Sequence, residues 1–233
     1  MVVILYKGKK VSVVMPAYDE EEAIVQVIND FDKDFVDEII VCDNNSVDGT
    51  AELAKRAGAK VVHEKRQGQG YASIAALKAA TGDLVFLTES DTTFLGKDMI
   101  KLLQYIDEAD IVMGSRVNKP LIGPKAMNWW TRWGNWGLST LLQFRFSNKY
   151  SFDDVGVTFR VFRKEALDRI KNNLRVGGPD FCVEPTILAC KKNMGIIQIP
   201  TWYTSRRGLT KQSFSIISSI KIGWKHFLHI LFR

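Results

Sequence analysis

The chain has 233 residues, 46 % hydrophobic and 25 % charged, a profile that supports a sizeable core and excludes a disordered or fibrous chain. Its net charge of +6 hides a division: residues 1–110 hold 12 Lys/Arg against 20 Asp/Glu, and residues 111–233 hold 20 against 6. No acidic residue follows Glu184, so the second half reads as a surface for something anionic: nucleic acid, phosphate or an acidic membrane.

In chain order, VSVVMP (11–16) predicts a strand ended by Pro16, and Ala23, Ile24, Val27, Ile28 and Phe31 give residues 20–31 a helical stripe. EIIVCD (38–43) is a second strand. Asp48-Gly49-Thr50 opens a helix through Ala57 that Gly58 stops. AKVVHE (59–64) is a third strand, and Gly68-Gln69-Gly70 leads into an Ala-rich helix over 71–80. LVFLTE (84–89), a helix over 98–106 and DIVMGSR (110–116) complete the first half. This alternation predicts an α/β fold, a Rossmann-like, mostly parallel sheet with helices on both faces. Ligands of such sheets sit at the carboxyl ends of the strands. The polar clusters fall there: Tyr18 to Glu20, Asp43 to Ser46, and Glu89 to Asp91.

The second half differs. Residues 124–147 interleave Trp129, Trp130, Trp133 and Trp136 with Arg132 and Arg145. A strand is predicted over 155–162, a helix over 180–192 and a strand over 195–203. The tail, 213–233, puts Ile217, Ile220, Trp224, Phe227, Leu228 and Leu231 on one helical face and Lys221, Lys225 and His229 on the other. No stretch supplies the roughly 18 apolar residues of a transmembrane helix, and the N-terminus carries no secretory signal. The Trp-rich segment and the basic tail suit a membrane interface; packing on the α/β domain or on a second subunit is the plainer alternative. Cys42, Cys182 and Cys190 lack zinc spacing and read as buried or idle thiols in a reducing compartment.

In an extended segment Glu89 and Asp91 point to one side. Two carboxylates so close repel unless a cation lies between them, and a hard divalent ion bridging to a substrate diphosphate is the natural partner. A helix N-cap cluster is the alternative reading. Asp43 stands where a carboxylate could accept N–H bonds from a nucleobase, with Asn44 and Ser46 near ribose or a turn. Asp48 reads as a helix cap. Gly68 and Gly70 could cradle a phosphate, or form a tight turn.

Pro16-Ala17-Tyr18-Asp19-Glu20, Asp43 through Thr50 and Glu89-Ser90-Asp91, in that order, resemble the inverting family 2 glycosyltransferases of GT-A fold, and among them the polyprenyl-phosphate (dolichyl-phosphate) mannose and glucose synthases. The resemblance spans residues 10–211. It implies nucleotide contacts at Pro16, Tyr18, Glu20 and Asp43; Ala17, Asn44, Asn45, Gly68, Gly70 and Ser90 are the further candidates for nucleotide binding. It implies Mg²⁺ or Mn²⁺ held at Glu89 and Asp91, with Thr93 where the family often has Gln. Gly114-Ser115-Arg116 resembles the family's G-S-R. Asp153 and Asp154 compete for the sugar-site carboxylate, and Glu184 resembles the Glu of the sugar-binding helix. Arg206, Arg207 and Lys211 resemble the loop that closes over the diphosphate. The implied catalytic set is therefore Asp91, Arg116, Asp153, Asp154, Glu184, Arg206, Arg207 and Lys211.

The implied organisation is a catalytic domain over 1–211 (10–116 for nucleotide and metal, 117–150 for aromatic interface helices, 151–211 for acceptor and sugar) and a basic amphipathic helix over 212–233. The implied reaction moves a hexose, mannose from GDP-mannose first, to polyprenyl or dolichyl phosphate. UDP-glucose as donor, a soluble sugar acceptor, and a catalytically inactive membrane-peripheral nucleotide-binding protein are the alternatives. The expected location is the cytoplasm, peripheral on the cytoplasmic face of a membrane. No nucleic acid is expected, and a homo-oligomer is compatible with the sequence.

Overall fold

The computed structural model describes residues 6–124, 126–147, 149–207 and 216–233. Lys211 lies among residues 208–215, outside the described residues. Seven strands form one sheet: β1 (Val11–Ala17), β2 (Glu38–Asp43), β3 (Lys60–His63), β4 (Leu84–Leu87), β5 (Ile111–Ser115), β6 (Arg160–Arg163) and β7 (Ile196–Pro200). Their order is β3-β2-β1-β4-β6-β5-β7. The sheet is parallel except for β6, which runs antiparallel between β4 and β5. It thus continues through both the acidic and the basic half of the sequence.

Every residue of β1 is buried, as a central strand covered on both faces requires. The strand runs one residue past Pro16 because that proline breaks no ladder bond. The Val14 carbonyl accepts the Thr88 N–H at the end of β4. Pro16 turns its backbone to the same side, where its carbonyl accepts the Ser90 hydroxyl at 2.7 Å.

Helices α1 (Ile24–Asp30), α2 (Thr50–Arg56), α3 (Gln69–Ala79), α4 (Met99–Gln104), α5 (Trp129–Arg145), α6 (Lys164–Ile170), α7 (Glu184–Lys191) and α8 (Ile216–Phe232) complete the chain. The helix expected from residue 20 begins at Ile24, because Asp19 adopts φ +49° and Glu20 starts a turn. The strand expected over 155–162 is confined to β6. Helix α6 had no counterpart in the sequence reading; Ala166, Leu167 and Ile170 are its buried side.

Gly68 and Gly70 meet the expectation of a close turn. Gly68 has φ +150°, and a Cβ on Gly70 would lie 2.1 Å from the Val176 carbonyl oxygen. Backbone thus packs on backbone where α3 begins. Gly70→Ala is expected to destabilise the fold by about 1–3 kcal/mol through overpacking, read as a lowered thermal midpoint.

The tail forms the expected helix and leaves most of its apolar stripe exposed. Among its described side chains the buried ones are His226 and Ile230, whereas Ile220 and Trp224 are 66 % and 60 % exposed. Leu228 and Leu231 also face solvent. His229, expected on the face opposite the apolar stripe, pairs with Asp180 at 3.1 Å. Leu142 of α5, Val183, Ile187 and Cys190 around α7, and Ile230 of α8 share a second core. Helix α8 is therefore docked, with its apolar side outward. Among the described residues no helix is long and apolar enough to cross a membrane. All three cysteines are buried and free, and burial pushes each thiol up to about 12.

Candidate active site

Strands β1, β2 and β4 end side by side, with Ala17 in register with Asp43 and Asp43 with His63. Asp43 is buried; its Oδ2 lies 3.2 Å from His63 Nδ1 and its Oδ1 accepts the Ser46 N–H at 3.3 Å. On the β1 side, Thr50 holds the Glu20 N–H at 2.7 Å.

The acidic pair lies just past β4. The Thr93 hydroxyl sits between the two carboxylates, 3.1 Å from Glu89 Oε2 and 2.5 Å from Asp91 Oδ1. Thr158 donates to the other Glu89 oxygen at 2.8 Å. Burial, and next the charge of Asp91, holds the Glu89 carboxyl above its ordinary range. One hydroxyl proton cannot satisfy both oxygens at once, so the pair retains acceptor capacity for a cation.

Two arginines face this pair. Arg206 pairs with Glu20, and its other terminal nitrogen is 3.8 Å from Asp91. Burial lowers its pKa, but Asp91 and Glu20 outweigh that and hold it above the ordinary arginine value. The Arg207 N–H donates to the Asp91 carbonyl at 3.1 Å, which ties the start of its loop to the acidic turn. Arg116 follows β5. Its Nε and Nη2 bond the two oxygens of Asp154 at 2.8 and 2.9 Å, and its guanidinium lies 5.3 Å from the centre of the Tyr203 ring.

Some expected contacts are engaged elsewhere. The Asn44 amide bonds the carbonyls of Glu64 and Arg66 at 2.8 Å, and its oxygen accepts the Gly68 N–H at 2.7 Å. Asn44 is thereby committed to shaping the 64–68 loop. Asn45 has φ +62° and bonds the Lys65 carbonyl. The Gly70 N–H donates to the Gly177 carbonyl at 2.9 Å, so it is not free for a phosphate. The Ser90 hydroxyl is held by Pro16, as above. Glu184 is fully buried and turns away: its oxygens take the N–H groups of Arg175 and Val176, both at 3.0 Å, and the Arg233 guanidinium at 2.6 Å. Both Asp154 oxygens are taken, by Arg116 and Asn135, whereas Asp153 reaches the surface and the partial desolvation of its carboxyl raises its pKa. Tyr18 is partly open at the mouth and Ala17 is buried beneath it.

Four residues at the site escaped the sequence reading. Asn135 of α5 donates to Asp154 at 3.0 Å. Gln198 accepts the Asp153 N–H at 3.0 Å and donates to the Asp154 carbonyl at 2.7 Å. Thr158 and Tyr203 are the others. A lone polar residue inside the apolar run IIQIP was the available signal for Gln198; Asn135 was masked by its tryptophans.

The family model described as "Glycosyl transferase family 2" matches residues 12–171. The "Dolichyl-phosphate hexose transferase" of Haloferax volcanii is 32 % identical, the match covering 88 % of each chain. The "UDP-N-acetylglucosamine--dolichyl-phosphate N-acetylglucosaminyltransferase" of Methanococcus voltae is 29 % identical over 96 % of this chain and 95 % of its own. Among solved structures, glucosyl-3-phosphoglycerate synthase from Mycobacterium tuberculosis, in complex with Mn²⁺, UDP and glucosyl-3-phosphoglycerate, superposes with a TM-score of 0.73 at 20 % identity. The match covers 97 % of this chain and 80 % of that one. At this identity the likeness speaks for the fold.

Proposed function

Because the chain belongs to glycosyl transferase family 2, and is a hexosyltransferase of GT-A fold, we propose that it transfers a hexose, with inversion, from a nucleotide-sugar to a polyprenyl phosphate. One observation carries the reading: a buried-edge carboxylate pair sharing the Thr93 hydroxyl, with Arg206 and Arg116 converging on it. A nucleoside diphosphate needs such a mixture, anionic ligands for a metal and cations for the phosphates.

The donor set fits a divalent ion. Two carboxylates and a hydroxyl are few ligands, but Mg²⁺ and Mn²⁺ keep waters and take the rest of their shell from substrate phosphates. Glu89 and Asp91 would hold the ion, with Thr93 adjacent, and it would supply charge neutralisation of the diphosphate leaving group. Arg206 and Arg207, at the start of the loop that includes Lys211, screen the same charge and exclude water. Asp43 would orient the nucleobase, and Asn44 would hold the 64–68 loop beside it.

The acceptor phosphate attacks the anomeric carbon from the face opposite the leaving diphosphate. It is already anionic at neutral pH, so no general base is needed. Arg116, fixed by Asp154, would bind that phosphate. A lipid acceptor is favoured by α5. Trp129, Trp133 and Trp136 are 68 %, 65 % and 57 % exposed, on the helix whose Asn135 touches Asp154. Interfacial tryptophans thus border the cationic side of the site, and the protein would lie peripherally on the cytoplasmic membrane face. Asp153, exposed and less acidic than usual, is the base that a soluble hydroxyl acceptor would require.

The test offers radiolabelled GDP-mannose, UDP-glucose and UDP-N-acetylglucosamine with Mn²⁺ or Mg²⁺ and a polyprenyl phosphate. The expected result is label entering the organic phase from one donor, with GDP-mannose the first candidate, and none after chelation of the metal. Label transferred only to water-soluble acceptors would overturn the lipid acceptor.

A further inference from the structure

Away from the site, Asn173, Arg175, Leu188, Lys191, Lys192 and Arg233 line a cavity of about 380 Å³. Its position follows from the sheet register. β5 and β7 run in parallel from Ile111 beside Ile196 to Ser115 beside Pro200. Arg116 continues from the carboxyl end of β5, whereas Lys191 and Lys192 precede the start of β7. Lys191 and Lys192 therefore stand at the opposite end of the strands from the carboxylate pair.

Its charges are unbalanced. Four cations line it; the neighbouring carboxylate is Glu184, and the Lys191 ammonium donates to the Arg233 carbonyl oxygen. Glu184 already receives two backbone N–H groups and the Arg233 guanidinium. Arg233 also donates to the Asn173 carbonyl at 2.6 Å, and its Nε is buried without a hydrogen-bond partner. Arg175, Lys191 and Lys192 are exposed. Cations gathered round a concavity raise the local anion concentration, and a phosphate would supply several acceptors to them.

The cavity also closes one end of the apolar face. The C-terminal ends of α5 and α8 meet, where Arg145 donates to the Ile230 carbonyl. Leu231 and Phe232, beside Arg233, are exposed, as is Phe144 on α5. The exposed aromatic face thus runs from the Trp residues near Asn135 to this basic cavity.

We propose that the cavity binds the phosphate of an anionic lipid headgroup, a second anchoring point distinct from the donor and acceptor sites. The proposal rests on the membrane reading above, and the test separates the two. Full-length wild type, Lys191→Gln/Lys192→Gln and a control with equal charge loss on the other half, Lys33→Gln/Lys55→Gln, are floated with vesicles. The vesicles are phosphatidylcholine alone or phosphatidylcholine with phosphatidylglycerol; thermal shift with inorganic phosphate runs in parallel. Wild type and the control are expected to prefer the anionic vesicles. The 191/192 variant is expected to lose about 30-fold in partitioning, the effect of two cations near an anionic surface.

Equal flotation of the 191/192 variant and the control would overturn the proposal. Phosphate stabilising wild type but not the 191/192 variant, with no protein floating, would assign the cavity to a soluble phosphate and overturn the lipid as its source along with the membrane reading. Flotation of all three proteins alike, with no phosphate effect, would leave the membrane reading standing and remove the cavity from it.

Discussion

Asp91→Asn is expected to reduce turnover by a factor on the order of 10²–10³ or more, the scale on which charge stabilisation of a leaving group is lost. Asparagine keeps the shape of the side chain, and its oxygen can still accept from the Thr93 hydroxyl and N–H, now 2.5 and 3.1 Å from Asp91 Oδ1. The turn should therefore persist. The charge facing Glu89 and Arg206 disappears. Because Asp91 is, after burial, the next cause of the raised Glu89 pKa, its neutralisation relieves repulsion within the free protein. The thermal midpoint is therefore expected to hold or rise while turnover collapses, a combination common where a site stores unfavourable charge for function. Calorimetry adds an independent reading: Mn²⁺-dependent nucleotide binding is expected in wild type and should vanish in Asp91→Asn. Full activity in the variant, or wild-type turnover undiminished by a chelator, would refute the role assigned to this pair.

The first half of the chain was legible because its periods are unambiguous. VSVVMP and EIIVCD become β1 and β2, and the three polar clusters do fall at one sheet edge, since a parallel sheet leaves its strand ends nowhere else to go. Side-chain use was less legible. Asn44 and Gly70 sit at the expected edge, yet their polar groups hold the 64–68 and 176–177 segments, partners separated by sequence and invisible to local pattern. Glu184 illustrates the same limit: its carboxylate is claimed by Arg175, Val176 and Arg233. The inserted antiparallel β6 could not be read either, because alternation gives the faces of a strand and not its direction. In α8 the larger apolar stripe reads as suited to a membrane interface, with packing on the α/β domain as the alternative. The helix buries Ile230 and His226, which sequence pattern did not single out as a packing side, and leaves the larger stripe out, which is the arrangement a membrane-lying helix needs.

The second large effect belongs to Asp154, and it is one of stability. Its Oδ2 accepts the Arg116 N–H and Nε at 3.0 and 2.8 Å, and its Oδ1 accepts Arg116 Nη2 and Asn135 Nδ2 at 2.9 and 3.0 Å. The carboxylate is fully buried, as is the nearby Arg160. Arg160 bonds Thr186 and the carbonyls of Val157 and Cys182, and burial lowers its pKa to about 10. Burial likewise works against charged Arg116, and the Asp154 charge overcomes it to raise the pKa above the ordinary value. Asp154→Asn removes that charge and turns an amide N–H₂ toward groups that are themselves donors. Stranding a buried cation in this way costs about 3–5 kcal/mol. At about 2–4 °C per kcal/mol for a chain of this size, the midpoint should fall by roughly 6–20 °C. Arg116→Met/Asp154→Leu, which removes both charges, should lose less than Asp154→Asn alone, since replacing a buried pair by apolar groups is often nearly neutral. A double variant less stable than Asp154→Asn, or a loss below about 1 kcal/mol on Asp154→Asn, would show that Arg116 does not depend on this carboxylate.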